Sequence, residues 1–147
     1  MCLPLFAACG NQTEETVSMY QLSREMLTAL NAAENMLYVS GSDADAADKF
    51  AYVSDLDYEL VDDFFLLYAE NGAGNADEIA VIAVKSPRSA PAAEASLCTH
   101  LSKRTAMYKS YDPTQLEKLN NAVYETVGRY VTLVVAADPA PVMEAFR

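Results

Sequence analysis

The sequence predicts an α+β domain with a four-stranded antiparallel sheet and the element order α-α-β-β-α-α-β-β-α. Two pairs of short apolar runs, each divided by a turn signal, are typical of β-hairpins. Segments with helical spacing flank these hairpins, so helices are expected to pack on the sheet. The 147 residues are 52% apolar and 21% charged, which favours one folded domain over disorder.

The chain begins with a pattern typical of a bacterial lipobox, at which a precursor is cleaved and its cysteine acylated. Ala7 and Ala8 precede Cys9, and Gly10 follows. Residues 1–8 would then be a truncated signal-peptide remnant, and residues 9–16 the lipid-bearing Cys9 with a polar tether. No Lys or Arg precedes Cys9, so this leader lacks the basic start of a complete signal. The alternative is an apolar N-terminus on a cytosolic protein.

Residues 17–147 are predicted to form the single α+β domain, beginning with two helices. Apolar residues recur at helical steps over residues 17–37 and predict the first helix. Ser42 and Asp45 resemble a capping box that opens a short helix near residues 43–53, with Phe50 and Val53 facing inward.

The first hairpin follows an acidic segment. Residues 55–60 alternate strictly, and an extended backbone would place Asp55, Asp57 and Glu59 on one face as weak candidates for cation binding. Phe64–Ala69 and Ile79–Val84 are apolar runs around a glycine-rich turn. Because both runs are apolar on both faces, they are expected at the centre of the sheet or covered on two sides.

The second half repeats the order of helices followed by a hairpin. A helix capped by Ser89 is predicted to run to about residue 110, and a shorter one follows Asp112-Pro113. The last hairpin joins 122–127 to 130–136 through Gly128-Arg129, and Asp138-Pro139 opens a terminal helix.

Charge is unevenly distributed and limits the possible partners. Residues 1–80 contain 15 Asp or Glu against 2 Lys or Arg, whereas residues 81–147 contain 6 against 8, giving −13 and +2. The net charge of −11 repels phosphate backbones, so we expect no nucleic-acid partner. No run of 18 apolar residues occurs, so attachment to a membrane is expected only through lipid or a partner.

No established catalytic motif occurs, and we predict no cofactor. Cys98 is the single cysteine beyond the lipobox and is expected to behave as a small apolar residue. His100, the one histidine, is two residues away, about 200° round a helix, so the two cannot form a local pair. We expect His100 at the surface or an interface.

The most informative polar pair is Asp77-Glu78, at the entrance to a buried strand. One interpretation is contact with a partner or ligand. The other, which we prefer, is an ion pair with a basic helix residue such as Arg104, whose planar fork can engage a carboxylate through two bonds. A third hypothesis makes one of these carboxylates the acid or base of a cell-surface enzyme, which would require a pocket.

From about Ala46 onward the chain resembles an uncharacterised domain, a domain of unknown function, found in lipoproteins of Gram-positive anaerobes. The segments that carry the resemblance are Ala76–Val81, Arg104, Tyr111-Asp112-Pro113, Gly128–Val131 and Phe146. The resemblance implies a membrane-attached, extracytoplasmic location and supplies no catalytic residue.

Together these observations predict a lipid-anchored module on the outer face of the cell membrane. We expect it to bind or scaffold an unknown protein or small molecule without catalysis. The alternatives are a carboxylate-dependent enzyme at the cell surface and a cytosolic interaction module.

Overall fold

The computed structural model describes residues 17–32, 35–70 and 75–147 of the chain. The lipobox and Cys9 lie outside these residues. Within the described ranges, no helix is long and apolar enough to cross a membrane. The helices are α1 (Met19–Leu30), α2 (Ala46–Phe50), α3 (Ala90–Tyr111), α4 (Leu116–Asn120) and α5 (Ala140–Phe146); the strands are β1 (Met36–Ser40), β2 (Val61–Ala69), β3 (Glu78–Val84), β4 (Val123–Val127) and β5 (Tyr130–Val135).

The α+β class is confirmed, but the sheet has five strands and not four. All neighbours are antiparallel, in the order β1-β2-β3-β5-β4. The additional strand is β1, of which the helical spacing over residues 17–37 placed the first two residues in the first helix. That helix stops at Leu30 because Asn31 adopts a left-handed φ of 48° and its N–H caps the Thr28 carbonyl.

The central strands β2 and β3 are covered on both faces, as their apolar runs predicted. Alternate side chains enter two separate cores. Phe64, Leu66, Ala80 and Ile82 pack towards α2, α3 and α4. The intervening residues of the same strands pack towards α1 and α5. The sheet is therefore the middle layer of three, and β3 is buried along its whole length.

The acidic segment before β2 is not extended, which corrects the expected alternation. The backbone instead forms a 3-10 turn over Tyr58–Leu60, and the Asp57 carboxylate accepts a hydrogen bond from the Glu59 N–H at 3.0 Å. Short polar side chains that bond nearby backbone in this way compete with strand formation. Phe50 and Val53 are buried as predicted, although α2 spans only Ala46–Phe50.

The β4–β5 hairpin has the two-residue loop Gly128-Arg129 that the sequence indicated. Gly128 has a φ of 58°, the left-handed region that the first loop position of a type II′ turn requires. A glycine is needed there for its backbone, since a Cβ would meet nothing within 4 Å.

Candidate functional site

The candidate site lies where the chain enters β3 beneath the second half of α3. His100, Arg104 and Tyr108 are spaced by four residues, so they share one face of α3. That face contacts the segment Asn75–Glu78. A helix face thus meets the start of a buried strand with polar groups on both sides.

Glu78 is the centre of this contact, with only 4% of its surface exposed. Its Oε1 lies 2.7 Å from His100 Nε2, and its Oε2 lies 3.3 Å from Arg104 Nη1. The preferred partner of Glu78 is therefore present, but through one guanidinium nitrogen rather than a two-bond fork. His100 occupies the other carboxylate oxygen, which explains the difference.

Arg104 is held by three different contacts on its inner side. Its Nη1 donates to the Ala76 carbonyl at 3.1 Å and faces Glu78, while its guanidinium lies 5.5 Å from the centre of the Tyr108 ring. Only 14% of the Arg104 side chain is exposed. The position of this guanidinium is set by backbone, carboxylate and ring together.

Asp77 points away from Glu78, although the two are adjacent in sequence. Lys118 Nζ lies 2.9 Å from Asp77 Oδ1 and 3.1 Å from Asn75 Oδ1. Asp77 and Lys118 line a separate depression of about 410 Å³, beside the end of α1 and residues 136–138. The structure therefore divides the predicted pair between two surfaces, as the alternation at a strand requires.

The loop that carries both carboxylates is fixed by α3 and by the turn before α4. The Tyr108 hydroxyl donates to the Asn75 carbonyl at 3.2 Å, and Gln115 Oε1 accepts from the Ala76 N–H at 3.0 Å. The Asn75 side chain closes a local turn by accepting from the Asp77 N–H at 3.0 Å. Glu78 is thus presented from a braced backbone.

A groove of about 480 Å³ opens beside Glu78, between α3, the end of α2 and the first two strands. Apolar and aromatic side chains form most of its lining, together with four acidic or basic groups. The lining residues are Val39, Lys49, Tyr52, Leu66, Tyr68, Glu78, His100, Arg104, Met107 and Tyr108. Tyr52 is 82% exposed and Met107 is 53% exposed, so large apolar side chains stand at the rim. The volume and lining are typical of a small-molecule site.

Lys49, the second cation of the groove, is already neutralised. Its Nζ lies 3.0 Å from Asp45 Oδ1 and 3.1 Å from Asp43 Oδ2. Hydrogen bonds from Lys49 to Asp45 and then Asp43 raise the pKa of the ammonium, so it stays charged within this triad.

The structure does not bring the acidic residues of the 55–60 segment together as a metal site. Asp55, Asp57 and Glu59 are all exposed, and the Asp57 carboxylate is used in its local turn. Among the described residues, no three His, Cys, Asp or Glu side chains are grouped so that they could hold a metal ion.

His100 is the main site residue whose role the sequence did not indicate. It was expected at the surface or an interface, but its side chain is 16% exposed and paired with Glu78. The spacing of His100, Arg104 and Tyr108 by four was the available signal. Cys98 is half-buried.

The fold and groove together define a three-layer α+β domain with a cavity of small-molecule size. The chain belongs to the family described as a domain of unknown function, DUF4358, which matches residues 36–136. Every residue that lines the groove falls inside this match. A larger depression of about 570 Å³ uses Val17, Leu22, Phe146 and Arg147, which lie outside it. No curated protein and no solved structure gave a significant match.

Proposed function

We propose that this chain is a lipid-anchored, extracytoplasmic binding module whose ligand occupies the groove beside Glu78. Acylation of Cys9 would hold the domain at the outer face of the membrane, with residues 10–16 as the tether. The groove would then face the surroundings of the cell and bind a partner from there.

The binding role is supported by a largely apolar groove whose lining includes fixed polar groups. Glu78 contacts both His100 and Arg104, and all three side chains are mostly buried, so their positions are set before any ligand arrives. Preorganised groups lose little conformational freedom on binding, which favours affinity. Exposed aromatic and Met side chains at the rim, such as Tyr52 and Met107, are typical of binding surfaces.

Binding is favoured over catalysis by the way Glu78 is used. A carboxylate enzyme requires a pocket, and Glu78 does line one. Both of its oxygens are already engaged, one by His100 and one by Arg104. A catalytic carboxylate needs an oxygen within reach of the reacting proton. The arrangement of Glu78 is better suited to holding His100 and Arg104 in place.

The groove is tested with methyl-labelled methionine, because Met107 lies at its rim while Met26 and Met143 are buried on the opposite face. We expect millimolar phenylbutanol, a neutral apolar probe, to shift the Met107 methyl signal and leave the other two unchanged. Tyr52→Ala should weaken this response, whereas Tyr20→Ala, exposed on α1, is the matched control. Equal shifts at all three methionines, or none, would contradict a binding groove.

The anchor is tested separately in a Gram-positive host, with the complete upstream leader supplied. The protein should incorporate labelled fatty acid and fractionate with membranes, and Cys9→Ser should do neither. Unmodified Cys9 in mature protein from the soluble fraction would favour the cytosolic interaction module instead.

A further inference from the structure

We infer that the groove selects ligands that carry a carboxylate on an apolar body, and that Arg104 receives the carboxylate. This inference rests on the proposed binding function and specifies its ligand class. It comes from the hydrogen-bonding capacity that Arg104 leaves unused.

Arg104 has more donors than its protein contacts consume. A guanidinium carries five N–H groups, and both polar contacts of Arg104 are made by Nη1. Among the described residues, Nη2 and Nε have no hydrogen-bond acceptor. Neither nitrogen is among the buried, unpartnered polar atoms of the described residues, so both reach solvent. Because Arg104 lines the groove, the remaining N–H groups are available to a ligand.

The unused side of Arg104 suits a planar, two-oxygen acceptor. Nε and Nη2 donate in parallel from one edge of a guanidinium, which is the geometry that a carboxylate accepts through two bonds. The Tyr108 ring, the Ala76 carbonyl and Glu78 hold the opposite side, so the fork is already oriented. The single-nitrogen contact with Glu78 is what leaves this edge unoccupied.

The remaining acidic and basic groups of the groove also have protein partners, so Arg104 is distinguished by its unused donors and not by an unpaired charge. Glu78 already contacts His100 and Arg104, and Lys49 is held between Asp43 and Asp45. The groove therefore presents the unused N–H donors of Arg104, whereas both carboxylate oxygens of Glu78 already contact protein side chains. The net charge of −11 opposes the approach of an anion, but exposed charges are largely screened beyond about 8 Å at physiological ionic strength.

The rest of the lining defines the body of the ligand. Val39, Leu66 and Met107 supply apolar contacts, and Tyr52 and Tyr68 supply aromatic ones. A volume of about 480 Å³ accommodates a chain or ring system of small-molecule size. An apolar or aromatic carboxylic acid, free or at the end of a peptide, fits this combination.

The test compares three probes that share one apolar body: phenylbutyrate, phenylbutanol and phenylbutylamine. Each probe is titrated into the full chain while the Met107 methyl signal is followed. We expect phenylbutyrate to bind about tenfold or more tightly than phenylbutanol, because a charge-assisted two-bond contact is added. Phenylbutylamine should bind most weakly.

Variants then assign the preference to Arg104. Arg104→Gln should reduce the affinity for phenylbutyrate to that for phenylbutanol, and Arg104→Lys should fall between them because charge is kept without the fork. Lys103→Gln, exposed on the same helix, should leave all three affinities unchanged. Retained binding of phenylbutanol to Arg104→Gln shows that the groove is still folded.

Each outcome separates the two proposals. Equal affinity of the wild-type protein for phenylbutyrate and phenylbutanol would overturn the carboxylate preference and leave the binding groove standing. An unchanged preference in Arg104→Gln would overturn the role of Arg104. A Met107 signal that responds to none of the three probes would contradict the binding function itself.

Discussion

The two halves of α3 cover the same sheet in different ways. In the first half, residues 90–99, the side chains of Ala90, Ala93 and Leu97 are buried against strand side chains, and small residues allow close approach. We call this part of α3 the dry half. In the second half, residues 100–111, His100 and Arg104 contact the buried carboxylate of Glu78 and line an open groove. We call this part of α3 the polar half. The first half is an apolar interface, whereas the second places polar groups beside an open groove.

This difference shows how one helix can serve both purposes. A dry interface stabilises in proportion to the apolar area it removes from water. Burying polar and charged groups costs free energy unless they are paired, and Glu78 is the shared partner of His100 and Arg104.

The largest loss should come from the dry half. Leu97→Ala deletes a fully buried side chain and should lower the free energy of unfolding by about 2–5 kcal/mol, because it leaves a cavity. Urea denaturation measures this loss, and Ser102→Ala, exposed on the same helix, should change it by less than about 0.5 kcal/mol. A loss below about 1 kcal/mol would show that this half of α3 is not tightly packed.

The polar half should give a smaller loss with strong coupling. Glu78→Ala and Arg104→Ala should each cost about 2–3 kcal/mol, below the value for a fully buried pair, because both groups line an open groove. The double variant should lose less than the sum, since each single change strands the other charge.

The exposed pair Glu125–Arg147 is the matched control for this cycle. Its closest approach is 2.8 Å, but its side chains are 30% and 56% exposed, so its coupling should stay below about 1 kcal/mol. Wild-type melting of Glu78→Ala and Arg104→Ala would remove the ion pair from any structural role.

A buried hydroxyl contact in the first half should give an intermediate effect. The hydroxyls of Ser96 and Ser54 are bonded to each other in a buried contact, and Ser96 also accepts from the Asp55 N–H at 3.2 Å. Ser96→Ala should cost about 1 kcal/mol, because Ser54 and the Asp55 N–H each lose a hydrogen-bond partner. Thermal unfolding compared with Thr99→Ala, whose hydroxyl is exposed, isolates this contribution.

The smallest effect concerns the cluster of aromatic rings formed by Phe50, Tyr58 and Phe64. Burial, with a contribution from Asp63, raises the pKa of the Tyr58 phenol. The folded state then holds this proton more tightly than the unfolded state, so the associated stability is intact below about pH 10 and is lost as the pH rises above it. Tyr58→Phe should reduce the loss of unfolding free energy that is measured as the pH rises above about 10. An unchanged decline would place its source elsewhere.

Much of the fold could be predicted from local pattern. The runs that became β2, β3, β4 and β5 were visible because apolar residues and turn signals bound them. Strand β1 was missed because Leu37 continues a helical spacing, and only pairing with β2 selects the extended form. The single residue Asn31, in its left-handed conformation, decides where α1 ends.

The site was predictable only in part, for a related reason. Glu78 and Arg104 could be paired from charge and residue type, but whether one or two guanidinium nitrogens engage depends on His100 competing for the same carboxylate. The groove combines β1, β2, the end of α2 and α3, segments that local spacing does not relate.

By itself, the sequence determined the class of fold, the central hairpin buried on both faces, the acidic first half and the residue types that could form an ion pair. These follow from short-range spacing and composition, which act through hydrophobic periodicity and turn geometry. Only the tertiary structure decided the fifth strand, the separation of Asp77 from Glu78 and the open edge of Arg104. Those features depend on contacts between residues that are far apart in the sequence. Only packing in three dimensions sets which of these residues share a partner.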